Sequence, residues 1–187
     1  FRSGRVDVGD SLFNISIGQV AGDAHTTGTK NIAVGYNALT ANTTGTENTA
    51  VGRDAGKAIT TSSGCTMIGA NAGQVNTAAN NTALGCGALY SNTTGTLNTA
   101  LGTGTYGSTQ GALGSNTTGL KTVAVGARSL TLNTTGEGNT AVGTYALDAN
   151  TTANYNTAVG NEALLANTTG ANNVALGANE LDANTTA

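Results

Sequence analysis

Asn31-Ile-Ala-Val-Gly-Tyr-Asn-Ala-Leu-Thr-Ala-Asn-Thr-Thr-Gly-Thr-Glu47 decides the fold, because most of the remaining chain is this stretch again. Its opening returns as Asn48-Thr-Ala-Val-Gly52, Asn81-Thr-Ala-Leu-Gly85, Asn98-Thr-Ala-Leu-Gly102, Asn139-Thr-Ala-Val-Gly143, Asn156-Thr-Ala-Val-Gly160 and Asn173-Val-Ala-Leu-Gly177. The glycine that closes each apolar run marks the register: Gly18, Gly35, Gly52, Gly69, Gly85, Gly102, Gly126, Gly143, Gly160 and Gly177. Successive steps are 17, 17, 17, 16, 17, 24, 17, 17 and 17 residues. A fixed period of this length is the signature of a solenoid, in which each unit packs only on its neighbours. Residues 14–187 therefore read as ten units, with an irregular unit at 98–121 carrying 7 extra residues. Residues 1–13 stand outside the repeat and read as an N-terminal cap or linker. The chain opens on Phe1 and stops inside its tenth unit, so the expectation is a piece of a longer polypeptide.

Each unit is numbered from its first residue, Asn31 being position 1 of the second. Position 2 is β-branched in all ten units, and position 4 is Val, Ile or Leu in all ten. Position 3 is Ala or Ser, apart from Met67. In a strand, positions 2 and 4 share one face and position 3 the other. The expectation is a short strand whose positions 2 and 4 make a first inward ladder. Leu39, Leu89, Leu113, Leu130, Leu147, Leu164 and Leu181 at position 9 make a second. Gly22, Gly56 and Gly73 hold position 9 elsewhere, which implies a thinner core in the N-terminal half. Asn-Thr-Thr-Gly then turns the chain, Asn through its side chain and Gly through its access to positive φ. Apolar spacings of 2 and then 5 do not fit a helical period of 3.6.

The fold class that follows is all-β: a parallel β-solenoid, or β-roll, of about ten turns with one 17-residue repeat per turn. Stacking in register places Asn31, Asn48, Asn81, Asn98, Asn139, Asn156 and Asn173 over one another, where each amide is expected to donate to the next. Gly35, Gly52, Gly85, Gly102, Gly126, Gly143, Gly160 and Gly177 form a second column, expected to turn the chain. Three modest apolar side chains per turn return less than ordering 17 residues costs. Together with the small side chains at position 3, this leads to the expectation that another copy packs close by, most simply in a homotrimer.

Composition narrows the function. Charged residues are 9% of the chain and the net charge is -3. No basic face exists for phosphates, which argues against nucleic acid. No apolar run reaches the roughly 20 residues of a membrane span. His25 is the only histidine, so no triad or histidine metal site can be assembled, and it reads as a turn variant in His25-Thr-Thr-Gly28. Cys65 and Cys86 read as two free thiols. Asp23, Asp54, Glu137, Asp148, Glu162, Glu180 and Asp182 read as scattered over outward, variable positions. No metal, no cofactor and no enzymatic activity are expected. Asn42, Asn92, Asn116, Asn133, Asn150 and Asn167 match the glycosylation acceptor pattern, but the turn explains them better.

The run Asn-Thr-Ala-Val-Gly-x-x-Ala-Leu resembles the head repeats of YadA-like trimeric autotransporter adhesins. Asn48-Thr49-Ala50-Val51-Gly52 and Thr122-Val123-Ala124-Val125-Gly126 carry the likeness. The whole unit, with Asn-Thr-Thr-Gly, is also similar to repeats of phage tail-fibre and bacterial surface proteins. The period here is longer than in the adhesin heads. The resemblance implies a trimeric β-roll at a virion or cell surface.

The function expected is that of a non-enzymatic, extracellular fibre segment, a stiff spacer or a receptor-presenting head. Cell-surface glycan or another receptor is the expected partner. The candidate binding loop is the insertion, with Thr103, Thr105, Tyr106, Ser108 and Thr109. The alternative is an ice- or crystal-surface-binding solenoid using rows of Thr43, Thr44, Thr93, Thr94, Thr117, Thr118, Thr134 and Thr135.

Overall fold

A computed structural model describes residues 13–104 and 110–186. Its strands are β1 (Ile15–Ile17), β2 (Ile32–Val34), β3 (Thr49–Val51), β4 (Thr66–Ile68), β5 (Thr82–Leu84), β6 (Thr99–Leu101), β7 (Val123–Val125), β8 (Thr140–Val142), β9 (Thr157–Val159) and β10 (Val174–Leu176). All ten lie in one sheet in chain order. Every neighbouring pair is parallel, and equivalent positions pair throughout: Ile32 with Thr49, Ala33 with Ala50, Val34 with Val51. The protein is a parallel β-solenoid of one unit per turn.

The faces of the strand are the reverse of the expected ones. Position 3 points into the coil, and Ala33, Ala50, Ala83, Ala100, Ala124, Ala141 and Ala158 have no accessible surface. Positions 2 and 4 point outward. The interior is narrow: besides position 3 it holds the alanine of position 8, the leucine of position 9, and asparagines at positions 1 and 12. The small residues at position 3 therefore answer to the opposite wall of the same coil rather than to a neighbouring chain.

The Gly column is set by the next rung. A Cβ built on Gly35 lies 2.6 Å from the carbonyl oxygen of Gly52, and one on Gly69 lies 2.6 Å from that of Gly85. No side chain fits there without moving backbone. The φ of these glycines is near +130°, a conformation that L-residues with side chains rarely adopt.

Three further positions, 7, 9 and 17, take the left-handed region, mostly without glycine; position 7 does so at Val20, Asn37, Asp54, Asn71, Arg128, Tyr145, Glu162 and Asn179. Position 9 has φ between 47° and 57° in every rung described, whether it is Leu or Gly. Position 17 behaves likewise at Lys30, Glu47, Asn80, Leu97, Lys121, Tyr155 and Asn172. A non-Gly residue held this way stores on the order of 1 kcal/mol. At position 9 the burial of the leucine side chain offsets that strain.

The N-terminal half is not thinly packed. Where Gly56 and Gly73 replace leucine, Met67 and Ile59 fill the space: a Cβ on Gly56 would lie 3.1 Å from Ile59 Cδ1, and one on Gly73 3.0 Å from Met67 Cε. Met67 and Ile59 are both fully buried. At Gly22 the His25 ring does the same, its Cε1 lying 2.8 Å from where a Cβ would sit. His25, half-buried, thus covers Gly22 as well as standing in the turn.

Met67→Ala is expected to lower the unfolding free energy by about 2–4 kcal/mol. Gly73→Leu alone is expected to destabilise as well, through collision with Met67. The double variant rebuilds an ordinary rung and recovers most of the loss, a coupling of more than ~1 kcal/mol in a denaturant-unfolding double-mutant cycle.

Candidate functional site

A solenoid offers chemistry on its edges and faces, and the internal bonds show which groups are already engaged. Two asparagine columns run through the interior. At position 1 the side-chain oxygen accepts the backbone N–H of the next rung: Asn48 N–H donates to Asn31 Oδ1 at 3.0 Å, and Asn156 N–H to Asn139 Oδ1 at 2.9 Å. The amide nitrogen donates to a turn carbonyl, as in Asn31 Nδ2 to Gly45 O at 2.8 Å. The expected side-chain-to-side-chain relay is therefore not the rule at position 1. It runs instead along position 12. There Asn92 donates to Asn76 at 2.6 Å, Asn116 to Asn92 at 2.7 Å, Asn133 to Asn116 at 2.9 Å and Asn150 to Asn133 at 2.8 Å. These amides satisfy turn backbone that has no strand partner. Asn42, Asn92, Asn116, Asn133, Asn150 and Asn167 are fully buried, so as folded they present no amide to a glycosylating enzyme.

The threonine edge is also engaged. Thr43 O accepts the N–H groups of Thr26 at 2.9 Å, Thr27 at 3.2 Å and Gly28 at 3.1 Å. It accepts the Thr26 hydroxyl too, at 3.0 Å. The hydroxyls of Thr93, Thr117 and Thr134 likewise donate to the next rung at 3.0 Å. In the proposed rows, Thr43, Thr93, Thr117 and Thr134 use their hydroxyl protons internally. Thr44, Thr94, Thr118 and Thr135 remain exposed on a Gly-flanked turn.

The strand face carries no charge. Along position 4 run Ile17, Val34, Val51, Ile68, Leu84, Leu101, Val125, Val142, Val159 and Leu176. Leu84 is 42% exposed and Leu101 40%. Ten strands spaced about 4.8 Å apart make a strip about 43 Å long. At a width of about 10 Å it covers on the order of 400 Å², in the range of patches that mark interaction sites.

Charged and aromatic side chains gather instead at two corners: positions 16 and 17, where Lys30 pairs with Glu47 and the Tyr155 hydroxyl donates to Glu137, and positions 6, 7 and 10 after the glycine. Asp54 is buried there, contrary to its expected outward place. Its Oδ2 contacts Arg53 Nη1 at 2.5 Å, its Oδ1 lies 3.5 Å from Lys57 Nζ, and Asn37 Nδ2 donates to Oδ1 at 2.9 Å. Burial raises the Asp54 pKa, but the Asn37 amide and the two cations outweigh it and hold the carboxyl below its ordinary range. Four rungs further on, Arg128 Nη2 contacts Asp148 Oδ2 at 3.1 Å and the guanidinium lies 5.4 Å from the Tyr145 ring centre. Burial outweighs the Arg128 charge there and pushes the Asp148 carboxyl up.

Thr103 stays within its rung, where its carbonyl accepts the Arg128 N–H at 3.3 Å. Register resumes at Ala112, which donates to Gly102 O at 3.2 Å, and Leu113, which donates to Ser129 O at 3.0 Å. Seven residues, 104–110, are thus inserted between Thr103 and Gly111. Thr105, Tyr106, Ser108 and Thr109 lie outside the described residues, as does the segment 1–12. Both cysteines are free: Cys65 is buried, with its pKa raised by burial, and Cys86 is exposed. Among the described residues, no three His, Cys, Asp or Glu side chains come together as metal ligands, and no helix is long and apolar enough to cross a membrane.

No protein-family model, curated protein or solved structure matches this chain.

The buried Asp54 and the half-buried Asp148 set opposite pH responses. A folded-state pKa held below the unfolded value of about 3.9 stabilises above that pH and ceases to as pH falls through the folded pKa. Asp54→Asn is therefore expected to be destabilising by a constant amount above about pH 5. The difference from the parent should shrink as pH drops below about 4 in urea titrations. Asp148 has the opposite sign: protonating it as pH falls through its raised pKa favours the folded chain.

Proposed function

We propose that this chain is a non-enzymatic structural segment of an extracellular fibre, on a phage tail or a bacterial surface, serving as a rigid spacer or receptor-presenting head. The observation that carries this reading is the uncharged strand face running through β1 to β10, aliphatic at position 4 in every rung and Thr, Ile or Val at position 2. A spacer needs length, stiffness and resistance to local opening. One chain of this solenoid supplies the length, through rungs that each bond only to the next. Copies packed along their strand faces supply the stiffness and remove the aliphatic strip from water. Three copies around an axis is the number that the likeness to the adhesin heads implies. The seam is formed by positions 2 and 4, which the interior leaves to the outside, rather than by position 3.

At about 25 cal/mol per Å², a strip of ~400 Å² contributes about 10 kcal/mol per chain on association. Ordering and alignment costs subtract from that.

Multi-angle light scattering of the 187-residue chain is expected to give three times the monomer mass. Leu101→Glu with Val142→Glu, both exposed side chains, is expected to give the monomer with an unchanged far-ultraviolet dichroism spectrum. A parent chain that runs as a monomer at high micromolar concentration would count against the assembly.

A further inference from the structure

We infer that Arg53 and Lys57, set by the buried carboxylate of Asp54, form a binding site for a saccharide bearing a carboxylate or a sulfate, with Tyr36 as the surface its ring packs on. The inference rests on the receptor-presenting reading above and names the chemistry it would recognise.

Three observations support it. First, Arg53 and Lys57 are held together yet remain open: their side chains are 56% and 43% exposed while that of Asp54 is 8% exposed. Asp54 takes one Nη1 contact from Arg53 and a long contact from Lys57, so most of the guanidinium and ammonium donors still face solvent. Second, Asp54 is itself fixed by Asn37 Nδ2 at 2.9 Å and by its own N–H, which donates to Tyr36 O at 2.8 Å. Being held ionised, it acts as a positioning residue for both cations. Two cations share one carboxylate, which leaves a net positive spot on a chain of net charge -3. Among the described residues no other two cations meet on one carboxylate: Lys30 pairs with Glu47, and Arg128 with Asp148.

Third, the surroundings suit a sugar. Register places Tyr36 one rung from Arg53 in the same column, and Tyr36 is half exposed. The adjacent positions carry Asn37, Thr40 and Gln74, which are amides and a hydroxyl with no opposing charge. An anionic group bridging Arg53 and Lys57 gains charge-assisted hydrogen bonds. A pyranose face lying on Tyr36 adds apolar contact, and the amides meet its hydroxyls.

The test is an NMR titration of the full 187-residue chain at low salt with 3′-sialyllactose, lactose 3′-sulfate, lactose and sodium sulfate. The two charged sugars are expected to shift amides of the rungs bearing Tyr36, Arg53 and Lys57, and lactose to bind at least tenfold more weakly. Arg53→Gln with Lys57→Gln is expected to weaken the charged sugars at least tenfold and to lower the thermal midpoint, because buried Asp54 loses both of its cations. Tyr36→Ala is expected to weaken the charged sugars and leave inorganic sulfate as before, and it serves as the test should the double variant fold poorly. Lactose binding as tightly as its sulfate, no shift at millimolar sugar, or a double variant that binds like the parent would each overturn the site. Sodium sulfate binding as tightly as sulfated lactose would overturn the saccharide. A chain that binds the charged sugars but scatters light as a monomer would retire the fibre and keep the site.

Discussion

The contact on which the rest depends is between backbones: the Gly column, where each rung's carbonyl occupies the space that a Cβ of the rung below would need. It fixes the rung spacing at the corner leaving the strand, and it holds wherever two described rungs meet, including across the insertion between Gly102 and Gly126. Once that corner is closed, the strand before it has only one register available, position on position, and all nine strand pairs adopt it. The asparagine columns then follow from need. A rung with one three-residue strand leaves most of its backbone outside the sheet, and buried N–H and carbonyl groups must still be bonded. Position 1 and position 12 place one amide at each end of the turn to do so.

The same economy explains what the exterior looks like. With the interior taken up by alanine, one leucine and two amides, nothing wide enough remains for Val34, Leu84 or Leu101, and the strand turns them out. The aliphatic strip is a consequence of the narrow coil. Charge is excluded from it and gathers at the corners, at position 17 in the Lys30–Glu47 pair and at positions 6, 7 and 10, where buried Asp54 and half-buried Asp148 are each joined to cations.

The architecture was legible in the sequence because it repeats. Ten recurrences of a β-branched residue, an aliphatic residue and a glycine allow only one period, one strand and one stacking. The inward and outward assignment was not legible from hydrophobicity, which placed the larger aliphatics inside. The clue lay in volume: Ala33 lies between Ile32 and Val34, and position 3, Ala or Ser in every unit but that of Met67, is the one that fits a thin interior. The left-handed backbone at position 9 left a clue too. Leucine and glycine have little in common as side chains, and their sharing of one position at Leu39 and Gly56 signals a backbone both must adopt. The Asp54 group was only half legible: Arg53, Asp54 and Lys57 are neighbours along one rung, but the burial of Asp54 and its bond from Asn37 appear only once two rungs are stacked.

A stack held by nearest-neighbour contacts tolerates loss of a whole rung and not of part of one. The most direct measurement is therefore urea unfolding of a chain lacking residues 139–155, which joins Gly138 to Asn156 in register, beside one lacking only residues 139–146. The account predicts that the first folds cooperatively with an m-value reduced by about a tenth, in proportion to the surface lost, and that the second loses the cooperative transition. Equal damage from both deletions would contradict it.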